Sequence, residues 1–445
     1  MDNVSNPSDP IPSAPVSRDT KVWILVYIFG LVFLQGLVVN HLSVLLPVLK
    51  DALQLDDVAI GKTASFAFAA GMPALFLSGY VTEWIRPKLS GVFAVVSMGS
   101  GCIVMGTATS HVGVIVGIMI THFGLGWVLS IHSAVIANVF PKSRQRLFFL
   151  IMAMLAVGAI FGPPLIGVAL NRVAPTAWGT VYVWLGIALW GLIGVLLLVC
   201  GRRIAHLGYQ AGAAERRGRP SPAQSEQNVA ERIAQTLASG VFNRPALYLL
   251  GLIVVLDNLA SINVFSWLGI MVKNRFSARP HEIGYLTSTM AMGVLVGRIF
   301  MAAFVSGRIS DRKLLGYSYG LAMLLFMAML FAPSMNMVYA LYFMMSFFMS
   351  AQSAATYAIG AAKLKERAAV GIPIADGIGA LGSLAAPLIM GYLAKQVSLD
   401  RALWLIPVFG FMLTFVCLAW EWIEKRIQRD DQGEAKYKEH VEVNK

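Results

Sequence analysis

Long runs of apolar residues dominate this chain, and short polar clusters divide them at near-regular intervals. Twelve runs, at about residues 22–49, 59–82, 89–108, 112–139, 146–171, 177–200, 246–272, 283–306, 314–332, 337–362, 369–395 and 402–423, are long enough to cross a bilayer. The criterion is that about 20 helical residues at 1.5 Å each span a hydrocarbon core of roughly 30 Å. The runs lack the alternation of a barrel strand, and an open strand leaves backbone polar groups unpaired in lipid, so the pattern predicts helices. It also repeats. A shift of 223 residues superimposes Asn40, Ser43, Leu45, Lys50, Ile60, Gly61 and Ser65 on Asn263, Ser266, Leu268, Lys273, Ile283, Gly284 and Ser288, seven identities in 26 positions. Two homologous halves imply a pseudo-twofold axis and a cavity between them that opens to either side in turn. The expected fold class is an all-α membrane protein of twelve transmembrane helices in two pseudo-symmetric six-helix bundles, and the expected role is transport.

Composition agrees with a lipid environment. The chain is 57% hydrophobic and 13% charged, with mean hydropathy +0.69, more apolar surface than a water-soluble fold hides. The net charge of +12 raises a nucleic-acid reading, which the distribution of charge removes. With both termini assigned to the cytoplasm, 26 of the 35 Lys and Arg residues fall on cytoplasmic segments, eight on external loops and one, Arg298, within a span. This is the positive-inside arrangement, with no basic domain. A multi-pass protein of the cell (inner) membrane is expected, with lipid as a partner and nucleic acid not.

The organisation follows from the same pattern. Residues 1–20 read as a disordered cytoplasmic tail, 21–200 as the N-terminal six-helix bundle, 201–244 as a cytoplasmic linker, 245–424 as the C-terminal bundle and 425–445 as a charged cytoplasmic tail. The linker carries Arg202, Arg203, Arg216, Arg217 and Arg219 and a short helical pattern around Asn228–Leu237, suited to setting topology or meeting anionic headgroups. Cys102, Cys200 and Cys417 lie in or beside spans without metal-ligand spacing, which points to packing. No cofactor is expected. There is no nucleophile constellation, metal cluster or phosphate loop, which argues against an enzyme and against direct ATP coupling.

The repeat extends to further spans. Ser130-Ile131-His132-Ser133-Ala134 matches Ser350-Ala351-Gln352-Ser353-Ala354, making His132 and Gln352 symmetry mates, and Gly158, Gly162, Pro163 and Gly167 match Gly382, Ala386, Pro387 and Gly391. Small residues permit close helix approach and Pro loosens a helix, so these positions are static packing or a sliding surface.

After the second span comes Gly79-Tyr80-Val81-Thr82-Glu83-Trp84-Ile85-Arg86-Pro87-Lys88, and after the eighth Gly307-Arg308-Ile309-Ser310-Asp311-Arg312-Lys313. Here the chain, over about residues 20–424, resembles the major facilitator superfamily, whose signature G-x-x-x-D-R-x-G-R-R/K lies between helices 2 and 3 and recurs between helices 8 and 9. The second copy is clean as far as Asp311-Arg312; the first has Glu83 for the Asp and Trp84 for the Arg. The resemblance implies gating by Gly79, Glu83, Gly307, Asp311 and Arg312. An acid at a helix end pairs with a basic residue or a helix N-terminus and holds the inner gate shut; topology alone is the plainer role. Within the superfamily, Tyr285–Met290 with Gly297-Arg298, and the stretch from Ser346 to Lys363, resemble the eighth and tenth helices of the fucose:proton symporter family. Asn263 and Trp267 take the places of a Gln or Glu and a tryptophan in its seventh. Where that family has acids on helices 1 and 4, this chain has Ser43 and Leu129. The partial G-x-x-x-G-P at Gly158–Pro163 is similar to the antiporter motif of superfamily exporters.

Ionisable groups inside a membrane are costly, which makes Asp257, Arg298 and Asp376 candidates for proton coupling or charge binding; Asp257 is either a proton carrier or half of an ion pair with Arg298. Asn40 with Ser43, and Asn263 with Ser266 and Trp267, stand at i to i+3 or i+4 and so form polar faces on the first and seventh spans. Amides and hydroxyls beside an aromatic plane suit a neutral polyhydroxylated solute; the alternative is hydrogen bonding between helices. Gln35 and Asn258, also 223 apart, His41, His132 and Gln352 complete the candidate substrate-binding set. Both histidines are of the type that titrates near neutral pH or simply packs. The function expected is a secondary active transporter, a functional monomer, that moves a small polar solute such as a sugar by alternating access, coupled to protons or another ion. Export or antiport of organic anions, drugs or metabolites, and facilitated uniport, are the alternatives.

Overall fold

The structure is a computed structural model that describes residues 18–84, 87–140, 144–204, 240–305 and 308–420, with 422 and 426. Twelve helical passes order it. The first, α1, runs Arg18–Val39, is interrupted at Asn40 and continues as His41–Ala52. Then follow α2 (Asp57–Trp84), α3 (Pro87–Thr107), α4 (His111–Val139), α5 (Arg144–Arg172) and α6 (Trp178–Cys200). The second half consists of α7 (Pro245–Phe276), α8 (Pro280–Phe300, extended by a π turn at Met301–Val305), α9 (Asp311–Leu330) and α10 (Met335–Met349, continued by Gln352–Leu364). It ends with α11 (Ala368–Val397) and α12 (Leu399–Trp420, with a turn near its start). Among the described residues, ten helices are long and apolar enough by themselves to cross a membrane. The other two predicted spans are the 28-residue α2 and the two-piece α10, whose segments of 15 and 13 residues are each too short alone. The expected short helix near residues 228–237 and most of both tails lie outside the described residues, but Arg18–Thr20, expected in the N-terminal tail, already belong to α1.

Local chemistry sets the ends. Ser110 accepts from Gly113 N at 3.2 Å and Ser334 from Met337 N at 3.4 Å, capping α4 and α10, while Pro245 and Pro280 occupy first-turn positions of α7 and α8, where a missing N–H costs nothing. Prolines inside α2, α5 and α11 are tolerated because neighbouring helices surround them. The outer surface is apolar, with Leu198 84% and Phe331 68% exposed, the surface lipid covers.

The packing shows the twofold relation directly. Within the first half α1 packs on α5, α2 and α3 on α4, and α3 on α6. Within the second, α7 packs on α11, and α8 and α9 on α10; α12 meets α9 through Thr414 Oγ1, which donates to Gly316 O at 3.2 Å. Adding six to each helix number turns one set into the other. The halves join through α2 with α11 and α5 with α8, which are again symmetry mates.

Candidate functional site

Glycines from the repeat make the joint between the halves possible. Gly61 of α2 lies against the Pro387 carbonyl and Gly391 of α11, and Gly391 lies against the Asp57 carbonyl. In the mate contact, Gly284 of α8 lies against Pro163 of α5, and Gly167 against the Pro280 carbonyl. A methyl group at any of the four would land on backbone. Gly158 and Gly382 perform the parallel task inside each half, against α1 and α7. Polar contacts reinforce the joint. The hydroxyls of Ser43 and Thr287 are 2.8 Å apart, Ser288 donates to Ile160 O at 2.5 Å, Lys273 donates to Pro47 O at 2.7 Å and pairs with Asp51, and Lys395 pairs with Asp56 at 2.9 Å. All these contacts lie toward the end of the bundle that holds the α1–α2, α5–α6, α7–α8 and α11–α12 turns. The lysines of the repeat have diverged: Lys50 pairs with Asp57 in its own half, whereas its mate Lys273 crosses to the other.

Asp257 lies twelve residues into α7 and is 3% exposed. Tyr319 of α9 donates to its Oδ1 at 2.8 Å, and the Gln352 amide of α10 donates to its Oδ2. Both described partners are neutral; Arg298, half-buried near the far end of α8, is not one of them. Gln352 opens the second segment of α10, just past the interruption at Ser350–Ala351, so this carboxylate ties α7 and α9 to the point where α10 breaks. Under the 223-residue shift Leu34 stands where Asp257 stands, so the first half has no equivalent acid. Tyr319 escaped the sequence reading: it is one of 13 tyrosines, and its partner is 62 residues away.

The other candidates fall into three groups. The first forms a polar face on α7. Asn263 donates back to Leu259 O at 2.8 Å, and its Oδ1, the Ser266 hydroxyl and the Trp267 Nε1 are buried with no partner among the described residues. On α1, Asn40 sits at the interruption and its carbonyl accepts from Ser43 Oγ at 2.8 Å. The second group bonds within its own half. Gln35 donates to Leu125 O of α4 at 3.0 Å and keeps Oε1 unpartnered among the described residues, and Asn258 donates to Gly379 O of α11 at 2.8 Å. His132 Nδ1 donates to Val128 O at 3.0 Å, which leaves Nε2 a buried acceptor, while His41 packs on His122 and Tyr182. The third group lies toward the end that carries the termini. Tyr357 donates to Asp376 at 3.3 Å; Asp311 is exposed at the start of α9 and Arg312 half-buried beside it. Gly79 and Glu83, in the last turns of α2, and Gly307 lie outside the residues whose surroundings are described. Cys102, Cys200 and Cys417 are free and buried.

Comparison with known proteins places this arrangement. The curated efflux pump roqT of Penicillium rubens is 28% identical over 148 residues, a stretch that is 32% of this chain and only 26% of that relative. A bacterial homologue of the human lysosomal transporter Spinster, solved inward-facing and unoccupied, shares the fold with TM-score 0.69 at 14% identity, over 91% of this chain and 98% of that one. The xylose transporter XylE of E. coli in its inward open conformation gives TM-score 0.65 at 13% identity, over 89% and 95%. The family model described as Major Facilitator Superfamily matches residues 28–276 and 250–442. With two six-helix bundles related by a twofold and joined through α2, α5, α8 and α11, this chain belongs to the major facilitator superfamily of transporters.

Proposed function

We propose that the chain is a proton-coupled secondary transporter of a small polar organic solute, with Asp257 as the protonation site. One observation carries this: a fully buried carboxylate whose described partners are the neutral Tyr319 and Gln352. A charged carboxylate away from water needs a partner cation or a proton. The hydroxyl and amide tolerate both protonation states, because each donates to a carboxylate and the acid keeps an acceptor oxygen. When Asp257 binds a proton, the pull on the amide at the break in α10 weakens, and a helix in two pieces is free to change its bend.

The solute would bind where polar atoms lack protein partners, on the α7 face of Asn263, Ser266 and Trp267, and Asn40 and Gln35 of α1 are the further candidates for contact. Amide oxygen, hydroxyl and indole N–H next to an aromatic plane match hydroxyl-rich solutes. With both termini taken as cytoplasmic, the closed joint faces outward and the molecule is in an inward-facing state. A second reading, export, is favoured by the Gly158–Pro163 segment packed on α1 and by the partial likeness to an efflux pump.

Screening a solute panel for thermal stabilisation identifies the ligand, since binding to the folded state raises apparent stability. Asp257→Asn in proteoliposomes then tests coupling. Uptake driven by a pH gradient should be abolished while counterflow exchange persists, because exchange needs binding and reorientation but no net proton movement. Unchanged gradient-driven uptake would remove Asp257 from the mechanism, and solute movement only against an inward proton gradient would establish export.

A further inference from the structure

The N-terminal half holds a second buried titratable cluster, which the coupling scheme above does not use. His41 is fully buried, and neither ring nitrogen has a partner among the described residues. Its ring centroid is 5.3 Å from that of His122 on α4 and 5.8 Å from that of Tyr182 on α6, whose hydroxyl is also buried without a described partner. His122 Nδ1 donates to Ile118 O at 3.0 Å, so in the neutral ring Nε2 is the acceptor. Cys102 of α3, 3.9 Å from Thr121 Oγ1, lies near Tyr182 and is the other titratable group toward this spot among the described residues. Phe68 of α2 and Trp178 wall the cluster with apolar rings.

The three side chains are matched to hold one proton reversibly. With centroids 5.3 Å apart, nitrogens of His41 and His122 come to about 3 Å, hydrogen-bond distance, when both rings aim a nitrogen along the line between them. With the rings so turned and uncharged, an N–H of His41 would donate to His122 Nε2 and the other His41 nitrogen would accept from the Tyr182 hydroxyl, bonds that none of these atoms makes in the present arrangement. In the singly protonated state, both His41 nitrogens donate and the hydroxyl rotates to accept. A second proton would leave donors facing donors.

The position gives that proton a consequence. His41 is the first residue of the helical segment His41–Ala52, and that segment grips the second half through Ser43, Pro47 and Asp51. A cation at a helix N-terminus opposes the helix dipole, so protonation disfavours this placement of the segment. We propose that His41, His122 and Tyr182 form a single-proton site in the N-terminal half whose charging loosens the grip of the second α1 segment on the C-terminal half.

Spin labels at Lys62→Cys and Asn274→Cys, exposed on opposite halves at the closed end, read the grip in the full-length purified chain, since the native cysteines are buried. The measurement is made with Asp257→Asn present, which separates this site from the coupling acid. Between pH 8 and pH 4 the longer-distance population should rise several-fold, and both His41→Gln and His122→Gln should abolish the rise while keeping the distribution seen at pH 8. If His41→Gln does not fold, His122→Gln with Tyr182→Phe decides. Distances that do not respond to pH with both histidines present, or a response that survives the histidine replacements, overturn the proposal.

Discussion

Asp257 sits where three helices meet, and the two groups that hold it are chemically unequal. Tyr319 is fully buried and its hydroxyl has no water to turn to, whereas Gln352 is half-buried at a helix break. Tyr319→Phe keeps the ring and removes one donor to the carboxylate, a loss of about 1–3 kcal/mol by the cost of an unmade buried hydrogen bond. It should lower the melting temperature by a few degrees and reduce gradient-driven uptake more than counterflow, both measured on the same preparation. The α7 face makes a separate claim. Asn263→Leu removes an amide whose oxygen has no described protein partner, so folding should change little, while the solute dissociation constant should rise at least tenfold, about 1.4 kcal/mol. Normal binding by this variant would make the face a packing surface.

At the scale of elements, α1 and α10 are discontinuous and neither break is marked by proline or glycine. Asn40 has φ −106° and ψ 16°, outside helical values, and its carbonyl is taken by the side chain of Ser43. The breaks were therefore illegible in the sequence: Asn40 and Ser43 read as a polar face of an unbroken span, and Ser350–Ser353 as the repeat mate of Ser130–Ser133 within one. The spans themselves were legible, because bilayer thickness sets a length that composition displays. The repeat flagged Gly61, Gly284, Pro163 and Pro387 as equivalents, but a repeat relates like to like and does not say which residue faces which. That Gly61 meets Pro387 across the halves required coordinates. Asp257 was legible as an acid in an apolar run; its neutral partners came from other helices and were not.

The closed-end ion pairs belong to this scale too. Asp56 is held below the usual carboxylate range by the Ala59 N–H and by Lys395. A depressed acid stabilises above its unfolded pKa and is lost as pH falls through its folded value. Its pair should thus survive acidification through the ordinary carboxylate range and fail only below it. The pair is half-exposed, so salt screening leaves it weak. Replacing Lys273 and Lys395 together with Ala should open the closed end, raising several-fold the rate at which a thiol reagent modifies Thr287→Cys in the purified protein. An unchanged rate would show that backbone packing alone holds the joint.

For the whole molecule, the joint is two copies of one contact. Gly61 with Gly391, and Gly284 with Gly167, bring α2 to α11 and α8 to α5 at backbone distance, and such contacts separate as rigid surfaces without breaking either bundle's core. Gly61→Val and Gly284→Val should each force the halves apart at this end, at about 1–3 kcal/mol for overpacking, and slow counterflow about tenfold or more without unfolding either half. The halves differ in their acids, Asp257 against Leu34, so the symmetric frame carries an asymmetric buried acid. The most direct measurement is proton movement itself. Proteoliposomes loaded with a pH-sensitive dye and given the identified solute should show a pH change coincident with solute flux, absent in Asp257→Asn although that variant still exchanges solute. Solute flux with no accompanying pH change, or a pH change that Asp257→Asn leaves intact, would contradict the account.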